Sequence, residues 1–339
     1  PLYPPSIFPG DFFKMHSLDS YQMAIIALGS IAFGVYLLVK GGDWTIDSAV
    51  AIADRSGLSK MFIAATIVAF GTSAPELFTS INANISGYPG ISVGNVIGSN
   101  VANVLMVIGV SAMIAPIFIS RAAIRVDAIV MILATAAMVP AILYGLLPRW
   151  GGIAMVVAII GYIIYQYKAS KLDVDDIEEA AEGTKNPYLM VTLGIITLLV
   201  GSELLVQGAV AGGIALGVPE AVIGMTMIAF GTSLPELTAC VAAARKGESD
   251  MILGGIVGSN IFNILSVMAF SAVVKPLVID SRFAAFDMPI VIAVTMVFAL
   301  MLFAFGRIGR IAGAAMALAY IGFTALQYSG AAETLIASL

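Results

Sequence analysis

Apolar stretches of about twenty residues follow one another from residue 21 to residue 330, separated by short polar connections. Such a chain has little to show water. Hydrophobic residues make up 60% of it and charged residues 11%, with a mean hydropathy of +1.02, whereas soluble domains carry about 25% charged residues. Runs of this length are the signal of membrane-spanning helices, and a barrel would show short alternating segments instead. The expected fold class is an all-α polytopic membrane protein. Ten spanning segments are expected near 21–52, 59–84, 91–115, 123–147, 150–168, 187–215, 219–244, 251–275, 284–305 and 310–330. The first and sixth are long: about 30 residues at 1.5 Å each give roughly 45 Å, more than the hydrocarbon core. They must tilt, bend or protrude.

Two matching stretches stand inside these segments. Ala69-Phe70-Gly71-Thr72-Ser73-Ala74-Pro75-Glu76 recurs as Ala229-Phe230-Gly231-Thr232-Ser233-Leu234-Pro235-Glu236. Gly94-Asn95-Val96-Ile97-Gly98-Ser99-Asn100-Val101-Ala102-Asn103 recurs as Gly254-Gly255-Ile256-Val257-Gly258-Ser259-Asn260-Ile261-Phe262-Asn263. Every paired position differs by 160, and the register extends to Gly41 with Gly201, Asp43 with Glu203, Gly57 with Gly217, Pro116 with Pro276 and Asp127 with Asp287. A register held over that distance is duplication. Five segments per half, an odd number, place the halves in opposite orientations, the inverted-repeat plan of many secondary transporters. The expected divisions are an N-terminal segment 1–20, a first five-helix repeat 21–168, an acidic linker 169–186 and a second five-helix repeat 187–339.

A glutamate in hydrocarbon is costly, so Glu76 and Glu236 at equivalent places imply a task. Pro75 cannot donate the backbone bond to residue 71 and crowds that carbonyl, and Gly71 tolerates unusual dihedrals. Together they should open the helix and free carbonyls near Ala69 and Phe70 as ligands. Thr72 and Ser73 add hydroxyls, with Glu76 one turn from Thr72 on the same face; Ala229, Thr232, Ser233 and Glu236 supply the same groups from the other half. Ser99 and Asn103 are one turn apart, as are Ser259 and Asn263. The glycines Gly94, Gly98, Gly254 and Gly258 are spaced for close helix contact. All these donors are hard oxygens, suited to sodium and calcium rather than to zinc or copper.

The motifs Gly-Thr-Ser-x-Pro-Glu and Gly-Ser-Asn-x-x-Asn resemble the two alpha repeats of the calcium/cation antiporter superfamily, in its prokaryotic sodium/calcium exchanger-like branch. The resemblance covers residues 21–330. It implies ten helices around a cluster of cation sites near mid-membrane. By that resemblance Thr72, Glu76, Thr232 and Glu236 hold Ca2+, Ala69, Ser73, Ser99, Ala229, Ser233 and Ser259 complete Na+ sites, and Asn103 and Asn263 line the middle position. Relatives often carry Asp where this chain has Asn263. Here the cluster holds two carboxylates and no third, so H+/Ca2+ antiport stands as the alternative to Na+/Ca2+ antiport. The long first and sixth segments resemble the family's mobile pair, with Asp43 and Glu203 at matching places on them.

Charge placement orients the bundle. Lys14, Arg149, Lys275 and Arg282 fall on the side of the first terminus, and twelve basic residues, among them Lys60, Arg121, Lys246 and Arg310, fall on the other. The second side is expected to be cytoplasmic, with both termini facing outward from a cell membrane. No typical signal peptide opens the chain; Phe8, Phe12 and Phe13 suit either a surface-lying or an unstructured terminus. The linker holds Asp173, Asp175, Asp176, Glu178, Glu179 and Glu182 without EF-hand spacing and reads as a solvated connector. The lone cysteine, Cys240, excludes an intrachain disulfide and reads as a small buried hydrophobe; the lone histidine, His16, reads as a solvated terminal residue. With no His-Glu-x-x-His, no histidine near a serine in the apolar spans and no phosphate-binding loop, an enzyme or an ATP-driven pump is not expected. A channel would also place carboxylates in the membrane, but an inverted pair of broken helices suits alternating access better. Ca2+ and Na+ are expected as transported ions and the lipid bilayer as the surroundings, with no organic cofactor and no nucleic acid. A single chain should suffice for transport, with the oligomeric state left open.

Overall fold

The computed structural model describes residues 20–170, 186–215 and 229–328. The expectations for residues 1–19, for most of the acidic linker (171–185), for the beginning of the seventh segment with Gly217 and for the last residues lie outside the described residues. Twelve helical stretches account for almost all of the rest: α1 (Ser20–Ser56), α2 (Lys60–Thr72), α3 (Ala74–Ile85), α4 (Pro89–Ile114), α5 (Arg121–Tyr144), α6 (Arg149–Ala169), α7 (Pro187–Ala215), α8 (Ala229–Thr232), α9 (Leu234–Lys246), α10 (Ser249–Val274), α11 (Phe283–Ala304) and α12 (Arg310–Tyr328). Among the described residues six helices are long and apolar enough to cross a bilayer, and the bent pair α2–α3 makes a seventh.

Local chemistry sets several of the ends. Ser59 precedes α2 and its hydroxyl accepts from the Phe62 amide at 3.2 Å, satisfying one of the donors that a helix start leaves over. Gly145 and Gly247 close α5 and α9 in the left-handed conformation, with φ of 71° and 75°, which a residue with a Cβ rarely adopts. α10 is the most enclosed helix and α4 the next, whereas α6 lies at the rim. Large side chains such as Leu133, Leu143, Val157 and Leu300 face outward, a surface that suits hydrocarbon.

The two long helices, α1 and α7, cross at their glycines. A methyl group added at Gly41 would sit 2.8 Å from the Leu198 amide nitrogen, and one at Gly201 would sit 2.9 Å from the Leu38 amide nitrogen. The crossing is the same when the halves are exchanged. α10 meets α2 as closely: a methyl at Gly254 would come within 2.5 Å of the Met61 carbonyl, and one at Gly258 within 2.6 Å of the Ala65 backbone. Small residues let backbones approach where side chains would hold them apart. Gly94 has only Phe283 near it, at 3.8 Å, and Gly98 meets nothing among the described residues.

Four two-residue strands lie in the connections: β1 (Ile117–Phe118), β2 (Leu146–Leu147), β3 (Leu277–Val278) and β4 (Arg307–Ile308). β1 pairs with β4 and β2 with β3, both antiparallel. Each pair joins one half to the other, and Ile117 with Ile308 corresponds to Leu277 with Leu147. From β2 and β4 onward the offset is 161 rather than 160, so the second half carries one extra residue there. Behind these turns, Asp127 of α5 accepts from the Tyr162 hydroxyl at 2.8 Å and from Gln166. Its counterpart Asp287 accepts from Gln327 at 2.7 Å and faces Arg282 at 3.7 Å. These acids tie α5 to α6 and α11 to α12.

Candidate ion-binding site

Both repeated motifs break their helix between the threonine and the glutamate. Ser73 (φ −83°, ψ 7°) separates α2 from α3, with a bend of 44°, and Ser233 (φ −90°, ψ 6°) separates α8 from α9. Pro75 and Pro235 then stand in the first turn, where a missing N–H costs nothing. Glu76 and Glu236 therefore occupy first turns of new helices, the end of the peptide dipole that favours negative charge. The expected release of the Ala69 carbonyl is only partial. It accepts from the Ser73 amide at 3.0 Å and from the Thr72 hydroxyl at 3.4 Å, because the chain bends after these bonds rather than before them.

The structure brings the two carboxylates together with hydroxyls of both halves. Glu76 and Glu236 are 1% and 3% exposed. Glu236 Oε1 accepts from Ser73 Oγ at 3.1 Å, across the halves, and Glu76 Oε1 accepts from Ser99 Oγ at 3.4 Å. The Thr72 side chain lies against Glu236 and that of Thr232 against Glu76. Glu76 Oε2, Glu236 Oε2, Ser233 Oγ and Ser259 Oγ are buried without a hydrogen-bond partner among the described residues. Buried polar oxygens are rarely left so, and Asn103 Oδ1 and Asn263 Oδ1 are likewise buried without a partner among the described residues. Buried oxygen atoms without donors are what a hard cation requires. Ala229 opens α8, and only its backbone is described.

Asn103 and Asn263 meet through partners not anticipated from their spacing. Asn103 Nδ2 donates to Asn260 Oδ1 and Asn263 Nδ2 donates to Asn100 Oδ1, both at 3.1 Å. Asn103 and Asn263 each begin a π-helical turn, Asn103–Val107 and Asn263–Met268. Such turns inside α-helices concentrate at functional sites. Asn95 is a further member: its Nδ2 donates to the Glu76 carbonyl at 3.2 Å and to Ser80 Oγ at 3.0 Å, and its Oδ1 accepts from Thr232 at 3.4 Å. Asn100 and Asn260 carried a signal in the sequence, since both stand in the doubled Gly-Ser-Asn. Asn95 carried none, its counterpart being Gly255.

Known proteins resemble this chain over most of its length. The profile of the sodium/calcium exchanger protein family matches residues 26–168 and 186–329. A candidate antiporter of Alkalimonas amylolytica, CaxA, is 35% identical over 90% of this chain and 99% of its own. The sodium/calcium exchanger MaX1 of Methanosarcina acetivorans is 29% identical over 88% of this chain and 97% of its own. A structure of the sodium–calcium exchanger NCX_Mj, soaked with Na+ and Sr2+, superposes with a TM-score of 0.78 at 31% identity, covering 89% of this chain and 98% of that one. With a profile matching both halves and relatives aligned end to end, the chain belongs to the sodium/calcium exchanger family of the calcium/cation antiporter superfamily, as a prokaryotic-type membrane antiporter of cations.

Proposed function

We propose that the chain exchanges Ca2+ for Na+ across a cell membrane by alternating access, as a ten-helix carrier of two inverted five-helix repeats. The observation that carries this reading is the pair Glu76 and Glu236, each buried, each with one oxygen bonded to a serine and the other without a hydrogen-bond partner among the described residues. In this reading Thr72, Glu76, Thr232 and Glu236 hold Ca2+. Ala69, Ser73, Ser99, Ala229, Ser233 and Ser259 serve Na+, while Asn103 and Asn263 line the centre. Two carboxylates balance one Ca2+, so the loaded site is neutral and moves through hydrocarbon without a large charge penalty. Water-excluded oxygens replace the ion's hydration shell.

The inverted plan draws support from the exchange of β1–β4 for β2–β3, and from the α1–α7 crossing that is unchanged when the halves are swapped. In the carrier these two helices slide on the rest, their glycine crossing giving a smooth contact. The twelve basic residues, including Lys60, Lys246 and Arg310, face the cytoplasm, and both termini face outward. Lys60 and Glu248, Lys246 and Asp47, and Arg310 with the Ile114 carbonyl gather at one end. At the other end, Arg149 bonds the Val274 carbonyl and Lys275 that of Asn84.

One observation favours a second reading. Asn103 and Asn263 are both uncharged, so three sodium ions leave the pair of carboxylates with one excess positive charge, whereas two protons leave none. H+/Ca2+ exchange is that alternative. Calcium uptake into proteoliposomes, under an outward sodium gradient and separately under an outward proton gradient, distinguishes them. Uptake is expected with the sodium gradient alone. Uptake with protons only would overturn sodium coupling and make Glu76 and Glu236 the proton carriers.

A further inference from the structure

Thr232 has one hydroxyl proton and two acceptors beside it. Its side chain lies against Glu76, and its Oγ1 stands 3.4 Å from Asn95 Oδ1. The amide of Asn95 is held so that its oxygen faces Thr232. Its Nδ2 donates to the Glu76 carbonyl at 3.2 Å and to Ser80 Oγ at 3.0 Å, which takes both amide hydrogens. A carbonyl only accepts, and Ser80 gives its own proton to the Ser92 carbonyl at 3.4 Å. Turning the amide over would therefore set oxygen against oxygen. Helix α4 thus addresses Glu76 twice, through Asn95 at the backbone and through Ser99, one turn on, at the carboxylate.

The other half is built differently. Thr72 lies against Glu236, and its second acceptor is the Ala69 carbonyl of its own helix, at 3.4 Å. The position equivalent to Asn95 is Gly255, so α10 has no amide to offer there, and that equivalent to Ser80 is Cys240. Gly255, Cys240 and Met251 line a small cavity of about 10 Å3 instead. A divalent cation held between a carboxylate and a hydroxyl needs lone pairs from both, so the hydroxyl proton has to point elsewhere. We infer that Asn95 is a positioning residue for calcium: its Oδ1 takes the Thr232 proton, and Thr232 Oγ1 and Glu76 then both present lone pairs to the ion. Without that acceptor the proton stays in a hydrogen bond to the Glu76 carboxylate, which the ion has to break. Asn95 acts through Thr232 and not by touching the ion. The proposal rests on the reading of Thr232 and Glu76 as calcium ligands.

Binding is read by calorimetry on the full chain, purified in detergent and titrated with CaCl2. Asn95→Ala is expected to weaken the calcium affinity by about tenfold or more, the scale of losing a partner that orients a ligand. Asn95→Leu, similar in size to asparagine but without an acceptor, should lose as much. It carries the comparison if Asn95→Ala does not keep the unsubstituted elution profile. Thr232→Val should lose at least as much as either. The double variant, Asn95→Ala with Thr232→Val, should bind no more weakly than Thr232→Val alone, because the acceptor matters only while there is a hydroxyl to serve. Were Asn95 only filling space, the two losses would add. Unchanged affinity in the Asn95 variants, or losses that add, would overturn the proposal; if Thr232→Val is still weakened, the ligand assignment survives. No calcium binding by the unsubstituted chain overturns both. Calcium uptake into proteoliposomes tests transport separately: the expected binding pattern without uptake sinks the transport reading and leaves the role of Asn95 in place.

Discussion

At the scale of single residues, two buried carboxylates stand among hydroxyls and amides with no ion-pair partner among the described residues. An unpaired buried carboxylate is a burden on the fold that a bound cation or a proton relieves. Replacing Glu76 or Glu236 by Gln keeps the shape and the Ser99 or Ser73 hydrogen bond but removes half of the charge opposing Ca2+. Calcium uptake in liposomes should fall roughly a hundredfold, the scale of losing one buried charge partner, while thermal unfolding in calcium-free buffer occurs at the same temperature or higher. Full uptake in either variant would rule out the assigned ligands. Asn263→Asp probes the centre. The amide of Asn263 donates to Asn100 Oδ1, and an aspartate there sets oxygen against oxygen and adds a third acid. The pH–rate profile of exchange, or the ion stoichiometry, is expected to change; an unaltered profile would place Asn263 away from the ions.

At the scale of elements, helix contact depends on which side of α10 a small residue occupies. A methyl group added at Gly258 would come within 2.6 Å of the Ala65 backbone, whereas one at Gly255, three residues earlier, would meet nothing among the described residues. Gly258→Ala should lower stability by about 1–3 kcal/mol through forced separation of α10 and α2. Gly255→Ala should be neutral or gain up to about 1 kcal/mol from the better helix former. Unfolding of the two variants in mixed micelles compares them directly, and equal effects would contradict the close approach. The π-helical turns at Asn103 and Asn263 act at this scale too: each adds a residue to one turn and re-aims the asparagine.

At the scale of the whole molecule, the halves are joined at both ends by the two strand pairs and, at one end, by the ion pairs Lys60–Glu248 and Lys246–Asp47. Lys60, at the start of α2, meets Glu248 between α9 and α10 at 3.1 Å, with both side chains partly exposed. A double-mutant cycle on this pair should give a coupling of only about 0.2–1 kcal/mol, shrinking with added salt. A larger, salt-independent value would show that the tie is shielded from solvent. Cohesion therefore rests mainly on the apolar packing around α10 and α4 rather than on these ion pairs.

The sequence by itself determined the membrane setting, the duplication and the identity of most ligating candidates. Hydrophobic length is a local property, and a doubled Gly-Thr-Ser-x-Pro-Glu marks its own break. Backbone hydrogen bonding decided what motif spacing could not: Ala69 keeps its carbonyl bonded to Ser73, and π-helical turns rotate Asn103 and Asn263 toward Asn260 and Asn100. Only the tertiary structure decided that Asn95 closes one half of the site while Gly255, Cys240 and Met251 leave the other open. Two halves repeating at a fixed interval look equal along the chain. Whether a side chain fills a gap or lines it depends on the helices packed against it from elsewhere.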